Sequence, residues 1–127
     1  MSTKELRKRI SELEPKVKVQ KYRNKAIVID GIKFQSIAEG CRYTVLKHYQ
    51  DQGVISCLEL QVPFILAPSV IINGRKKPAL KYFADFVYSN KEGKRIIEDV
   101  KGVKTAVYKI KQHLMLSVYG FEINEIK

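Results

Sequence analysis

No run of about 18 apolar residues occurs in the chain, so no membrane-spanning helix is predicted. The opening residues, Met-Ser-Thr-Lys-Glu-Leu-Arg-Lys-Arg, lack the apolar segment of a secretory signal. A cytoplasmic protein is the expectation. Cysteine is scarce: Cys41 and Cys57 show no CxxC or Cys/His spacing and lie among apolar neighbours, which predicts two buried free thiols. Histidine is equally scarce, and His48 and His113 have no partner at metal or triad spacing. A Gly-rich phosphate loop, a GxSxG elbow, a DNA-reading motif, an internal repeat and a low-complexity segment are all missing. Acidic residues are outnumbered as well, 13 against 24 Lys and Arg, for a formal net charge of +11. That excess predicts a polyanionic partner, nucleic acid before an anionic membrane surface, because net charge governs association rather than fold.

What is present is the composition of a globular domain, 45% hydrophobic and 29% charged over 127 residues. Length leaves room for one core. The expected organisation is a basic N-terminal arm over residues 1–24 and a core domain over residues 25–127. Residues 3–13 read as a short helix with Ser2 and Glu5 at capping-box spacing and Leu6, Ile10 and Leu13 as its apolar stripe, stopped by Pro15. From Lys4 to Lys25 there are nine Lys/Arg and three Glu.

Two short β runs meet at Asp30-Gly31, a tight-turn pair. A helix follows over residues 37–52, capped by Ser36 and ended by Gly53, with Ala38, Cys41, Val45, Leu46 and Tyr49 expected inside and Glu39 at the edge of that stripe. Residues 54–61 and 64–67 read as strand, with Pro63 and Pro68 pointing to a bulge or an edge. Asn73-Gly74 marks a hairpin between residues 69–72 and 77–81 whose tip carries Arg75, Lys76 and Lys77. Thr105 caps a helix to about Val118, with Val107, Ile110, Leu114 and Val118 as core stripe and Lys104, Tyr108, Lys111 and Met115 on the neighbouring face. A right-handed crossover then leads to a last strand over residues 121–126.

The chemistry concentrates in residues 79–104. Residues 80–88 and 95–100, rich in aromatic and β-branched side chains, flank a polar Gly-containing stretch and predict a β-hairpin. Side chains alternate with period two, so Phe83, Asp85 and Val87 share one face of the first strand, and Ile97, Asp99 and Lys101 one face of the second. Glu98 faces away from Asp99 and reads as a surface residue unless a bulge exchanges the two. Two carboxylates and an ammonium directed at one region are costly to desolvate unless the acids hold a cation and the lysine meets an anion. Hard oxygen donors with no His or Cys nearby suit Mg²⁺ or Mn²⁺. A structural Asp/Lys salt-bridge cluster is the alternative.

In this order the elements and motifs resemble the PD-(D/E)XK nuclease superfamily, and the resemblance covers the chain from about Lys21 to its end. More closely, Lys21-Tyr22-Arg23-Asn24, Asp30-Gly31-Ile32-Lys33-Phe34, residues 36–43, Leu58-Glu59-Leu60-Gln61, Ala84-Asp85-Phe86-Val87-Tyr88 and Glu98-Asp99-Val100-Lys101-Gly102 are similar to a family of small phage and prophage proteins placed in that superfamily by their motifs. The resemblance implies an α/β αβββαβ restriction-endonuclease-like core, a mixed sheet flanked by helices, and a metal-dependent DNA endonuclease. It makes Glu39, Asp85 and Asp99 metal ligands, with the Val100 carbonyl completing the shell. Lys101 becomes the residue that activates water and offsets charge, and Gln61 a further site residue. Two positions depart from the pattern: Ala84 stands where Pro usually precedes the Asp, and Cys41 where close relatives carry a second helix acid. The implied enzyme cuts branched or junction DNA as a homodimer in phage recombination or DNA processing, contacts DNA through Arg75, Lys76, Lys77, Lys104, Tyr108 and Lys111, and needs no small-molecule cofactor. A non-catalytic nucleic-acid-binding module on the same fold, or a nuclease active only with a partner, is the other reading.

Overall fold

The computed structural model describes residues 2–13, 25–101 and 103–127. The expected stop at Pro15, the rest of the arm through Asn24 and the strand break at Gly102 lie outside the described residues, as do the side chains of Ile10 and Leu13. The chain is mixed α/β and divides into two compact units, Met1–Val54 and Ile55–Lys127.

In the first unit α1 (Thr3–Leu13) starts on the anticipated capping box: the Glu5 N–H donates to Ser2 Oγ at 3.1 Å and the Ser2 N–H to the Glu5 carboxylate at 3.4 Å. β1 (Ile27–Ile29) and β2 (Ile32–Phe34) form a tight antiparallel hairpin, turned by Asp30 and Gly31 at φ 54° and 75°. α2 (Ile37–Asp51) is capped by Ser36 Oγ, which accepts from the Glu39 N–H. Its buried side is Gly40, Cys41, Tyr43 and Leu46, whereas Tyr49 is 41% exposed and not part of the core. Gly40 explains the rotation, for a Cβ there would stand 2.9 Å from Ile29 Cδ1 and 3.1 Å from Ile27 Cγ2. Glycine there leaves room for these two isoleucine side chains to pack against the helix. Phe34 and Tyr43 meet across that contact with ring centres 5.0 Å apart and planes tilted by 38°, and the Tyr43 hydroxyl donates to Asp30 at 3.1 Å.

The second unit is built on a four-stranded mixed sheet. Its strands are β3 (Ser56–Ala67), β6 (Leu80–Ser89), β7 (Arg95–Val100) and β8 (Ile123–Ile126), in that order, with β7 and β8 parallel and the other pairs antiparallel. β4 (Val70–Ile72) and β5 (Arg75–Lys77) make a separate exposed ribbon around Asn73-Gly74, so its second strand is the basic triplet itself and not residues 77–81. β3 runs unbroken through Pro63, which the sheet tolerates because β3 is an edge strand. Cys57 lies on it exposed, at φ 57°, so only Cys41 of the two thiols is buried. Burial raises the Cys41 thiol above its ordinary pKa, an effect that the neighbouring Arg7 opposes.

α3 (Ala106–Tyr119) connects β7 to β8 between the Thr105 cap and Gly120, a left-handed C-cap at φ 74°. It packs on the sheet through Tyr108 and Met115, which join Phe64, Leu66, Tyr82, Ala84, Val87, Ile97 and Ile123 in the core. The expected stripe is therefore displaced: Val107, Ile110 and Val118 are 61%, 60% and 51% exposed, and Leu114 is half-buried. Among the described residues no helix is long and apolar enough to cross a membrane.

Candidate active site

The core that α3 covers takes Tyr82 and Ala84 from β6 and then Val87, so the alternation of that strand slips by one residue as it passes Asp85. Opposite, Gln61 has φ 49°, and the ladder pairs Leu60 with Phe86 and Val62 with Ala84 but omits Gln61 and Asp85. Such irregularities re-aim side chains near functional sites. Phe83, 52% exposed, and Val87, 2% exposed, consequently do not share a face in the expected way.

The slip leaves the Asp85 carboxylate free to reach along the sheet plane. Asp85 Oδ1 accepts from Gln61 Nε2 at 3.1 Å, and Oδ2 from the Val100 N–H at 2.8 Å. One step beyond the Phe86–Glu98 pair, the β6–β7 register sets Asp85 opposite Asp99. Asp99 is buried, 3% exposed; its Oδ2 accepts from the Tyr82 hydroxyl at 2.7 Å and its Oδ1 faces Lys101 Nζ at 3.5 Å. The same ammonium lies 4.5 Å from the centre of the Tyr108 ring. The structure thus brings together Asp85, Asp99, Lys101, Gln61 and the Val100 backbone, all from the second unit. Glu39, half-buried in the first turn of α2, belongs to the first unit.

Two residues of this region were not singled out by sequence, and a third was expected elsewhere. Tyr82 holds Asp99, although strict alternation would put it on the other face from Asp85. Glu125 faces Asp99 across the parallel β7–β8 register, with Oε1 accepting from Gln112 Nε2 at 3.2 Å and Oε2 at 3.2 Å from Lys104 Nζ in an ion pair outside hydrogen-bond geometry. Glu98, expected at the surface, is fully buried and accepts from the Tyr88 hydroxyl. Period-two alternation does turn it away from Asp99, but that side of the sheet is also covered.

Burial first, then the hydrogen bond and charge of Asp99, push the Tyr82 phenol far above its ordinary pKa. Burial also raises Tyr108, helped by the charges of Glu125, Asp99 and Asp85. Both phenols therefore stay protonated. Tyr108, expected on a DNA-facing rim, is only 4% exposed, and its hydroxyl has no hydrogen-bond partner among the described residues. Lys104 stays half in solvent beside Glu125, Lys111 is half-buried, and Arg75, Lys76 and Lys77 are all exposed on β5. A separate cleft of about 510 Å³, lined among others by Arg95, Leu116, Phe121 and Ile123, does not include the Asp85–Asp99 pair.

The oxygen set fits a small hard cation in kind, since Mg²⁺ is commonly held by one or two carboxylates and completes its shell with water and substrate phosphate. Among the described residues no group of three or more His, Cys, Asp or Glu converges to hold a metal. A pair of acids is thus what this sheet offers.

Residues 19–124 match a family model described as a protein of unknown function (DUF1064). No curated protein and no solved structure matches the chain at a significant level.

Proposed function

From the premise that the chain belongs to the DUF1064 family, we propose that it is a divalent-metal-dependent DNA endonuclease with a PD-(D/E)XK-type site. The observation that carries this reading is the meeting of Asp85, Asp99 and Lys101 at one point of the β6–β7 pair, with Lys101 Nζ 3.5 Å from Asp99. A fully structural ion pair would need one acid. Here a second acid is held beside the first by the backbone of the very strand that carries it.

Asp85 and Asp99 would hold Mg²⁺ or Mn²⁺, with the Val100 carbonyl as the further ligand this reading names. When bound, such an ion supplies charge that polarises a phosphate and acidifies a coordinated water. Lys101 places fixed positive charge where negative charge develops on the phosphorus oxygens. Gln61 and the Val100 N–H hold the Asp85 carboxylate in one orientation, and Tyr82 does the same for Asp99. The +11 net charge and the exposed β5 triplet, Arg75, Lys76 and Lys77, provide attraction for the phosphate backbone. The resemblance to the PD-(D/E)XK superfamily adds branched or junction DNA as the substrate and a homodimer as the working form.

A second reading has its own support. Each of the four oxygens of the Asp85–Asp99 pair already faces a protein donor: Gln61, the Val100 N–H, Tyr82 or Lys101. That is how a self-satisfied structural cluster in a DNA-binding module would look.

Incubating the purified protein with a four-way junction, linear duplex and single-stranded DNA in Mn²⁺, Mg²⁺ or EDTA separates the two. The nuclease reading expects cleavage that EDTA abolishes and that falls at least 100-fold, on the order of one lost electrostatic contact, in Asp99→Ala and Lys101→Ala. Tight, salt-sensitive binding with no cleavage by any of the proteins would select the binding module.

A further inference from the structure

Two tyrosines bracket the site, and their surroundings assign them different tasks. Tyr82 reaches Asp99 with its hydroxyl, 2.7 Å from Oδ2. Tyr108 offers Lys101 the face of its ring at 4.5 Å, while its hydroxyl makes no hydrogen bond among the described residues. Both are buried, at 3% and 4% exposure, and they come from different elements, β6 and α3. Asp99 and Lys101 thus each have a tyrosine partner besides one another, across the 3.5 Å between them.

We infer that Tyr82 and Tyr108 form a two-sided clamp that positions the site's acid and its lysine, Tyr82 through its hydroxyl and Tyr108 through its ring alone. This inference rests on the nuclease reading of the same site. The physics of each half is distinct. A carboxylate free to rotate offers a metal many geometries, and the Tyr82 hydroxyl on Oδ2 fixes the Asp99 carboxylate in one of them, with Oδ1 toward Lys101. Partners of this kind, one bond removed from the metal, typically change metal affinity or activity by 10–100-fold. Lys101, on a flexible four-carbon stem, would otherwise spread its charge over many rotamers. A ring face attracts an ammonium without accepting its proton, so Tyr108 restrains Lys101 and leaves its N–H groups available. The Tyr108 hydroxyl has no part in this.

The test separates hydroxyl from ring at each position. In wild-type protein, the Lys101 methylene protons should be shifted upfield by the Tyr108 ring current in NMR spectra. The shift should persist in Tyr108→Phe and vanish in Tyr108→Leu. Under Mn²⁺ the turnover number with the best DNA substrate should fall more than tenfold in Tyr108→Leu, with KM little changed, and Tyr108→Phe should restore it. Tyr82→Phe should instead weaken Mn²⁺ binding, followed by electron paramagnetic resonance without DNA, by about tenfold or more. Unshifted Lys101 methylenes in the wild type, or a Tyr108→Phe variant as slow as Tyr108→Leu, would overturn the Tyr108 half. Wild-type Mn²⁺ affinity in Tyr82→Phe would overturn the other. If the wild type neither binds Mn²⁺ nor cuts DNA, the nuclease reading fails and the Tyr82 assignment with it, while the ring-current shifts still decide the Tyr108 contact.

Discussion

Asp85, Asp99 and Lys101 could be read from the sequence because their relation is local. Two strands joined by a short turn fix their own register, and Asp-x-Lys lies within one strand. Tyr82 could not be, since it reaches Asp99 only because β6 slips at Asp85. Glu125 depends on the parallel register of β7 and β8, which is set by a whole intervening helix. Glu98 has a different lesson. Between Ile97 and Asp99 on an alternating strand a glutamate looks like the solvent side until the residues that cover it are known, and here it is fully buried with the Tyr88 hydroxyl on it. Buried charge is maintained only by such donors. Tyr88→Phe should therefore cost about 1.5–3 kcal/mol, the range for a hydrogen bond to a charged group, measured as a lower urea midpoint with an unchanged slope.

At the scale of elements, the helix boundaries were legible and the helix faces were not. Thr105 marks the start of α3 in the sequence because capping needs a side-chain acceptor there, and the expected end at about Val118 falls one residue short of Tyr119, before the left-handed Gly120. Which side turns inward is another matter, for α3 carries two apolar stripes about 100° apart, and the 3.6-residue period scores them alike. The sheet receives Tyr108 and Met115, while Gln112 and Lys104 are drawn to Glu125. Gly40 gave a similar case in α2, where close approach to the β1–β2 hairpin moved Tyr43 inward and Tyr49 outward. A pair of variants measures the rotation of α3. Met115→Ala should lose about 2–5 kcal/mol of unfolding free energy as a buried large-to-small change, whereas Ile110→Lys should stay within about 0.5 kcal/mol, as expected for an exposed position. The expected core stripe would require the reverse order.

For the molecule as a whole, the alternation of helix and strand announced a mixed α/β chain, and the expected crossover through a helix announced a last strand parallel to β7. What pattern alone did not reveal is that the chain divides into two compact units at Val54, because Asp51, Gln52 and Gly53 read simply as the end of a helix. The open sheet of the second unit also has two ends, and β3 forms the long one: 12 residues, with Ile65 half in solvent. An exposed strand of that length invites another chain to add itself, and Pro63 answers by presenting a nitrogen that cannot donate. The left-handed residues Cys57 and Gln61 further interrupt the outer row of amides. The like charge of neighbouring molecules, +11 each, adds a second deterrent at low salt. Pro63 thus guards solubility more than shape. In Pro63→Val, light scattering on incubation at high salt should rise well above that of wild type while the folded spectrum is unchanged, and equal scattering would show that the bends at Cys57 and Gln61 suffice to keep the sheet from growing into an aggregate.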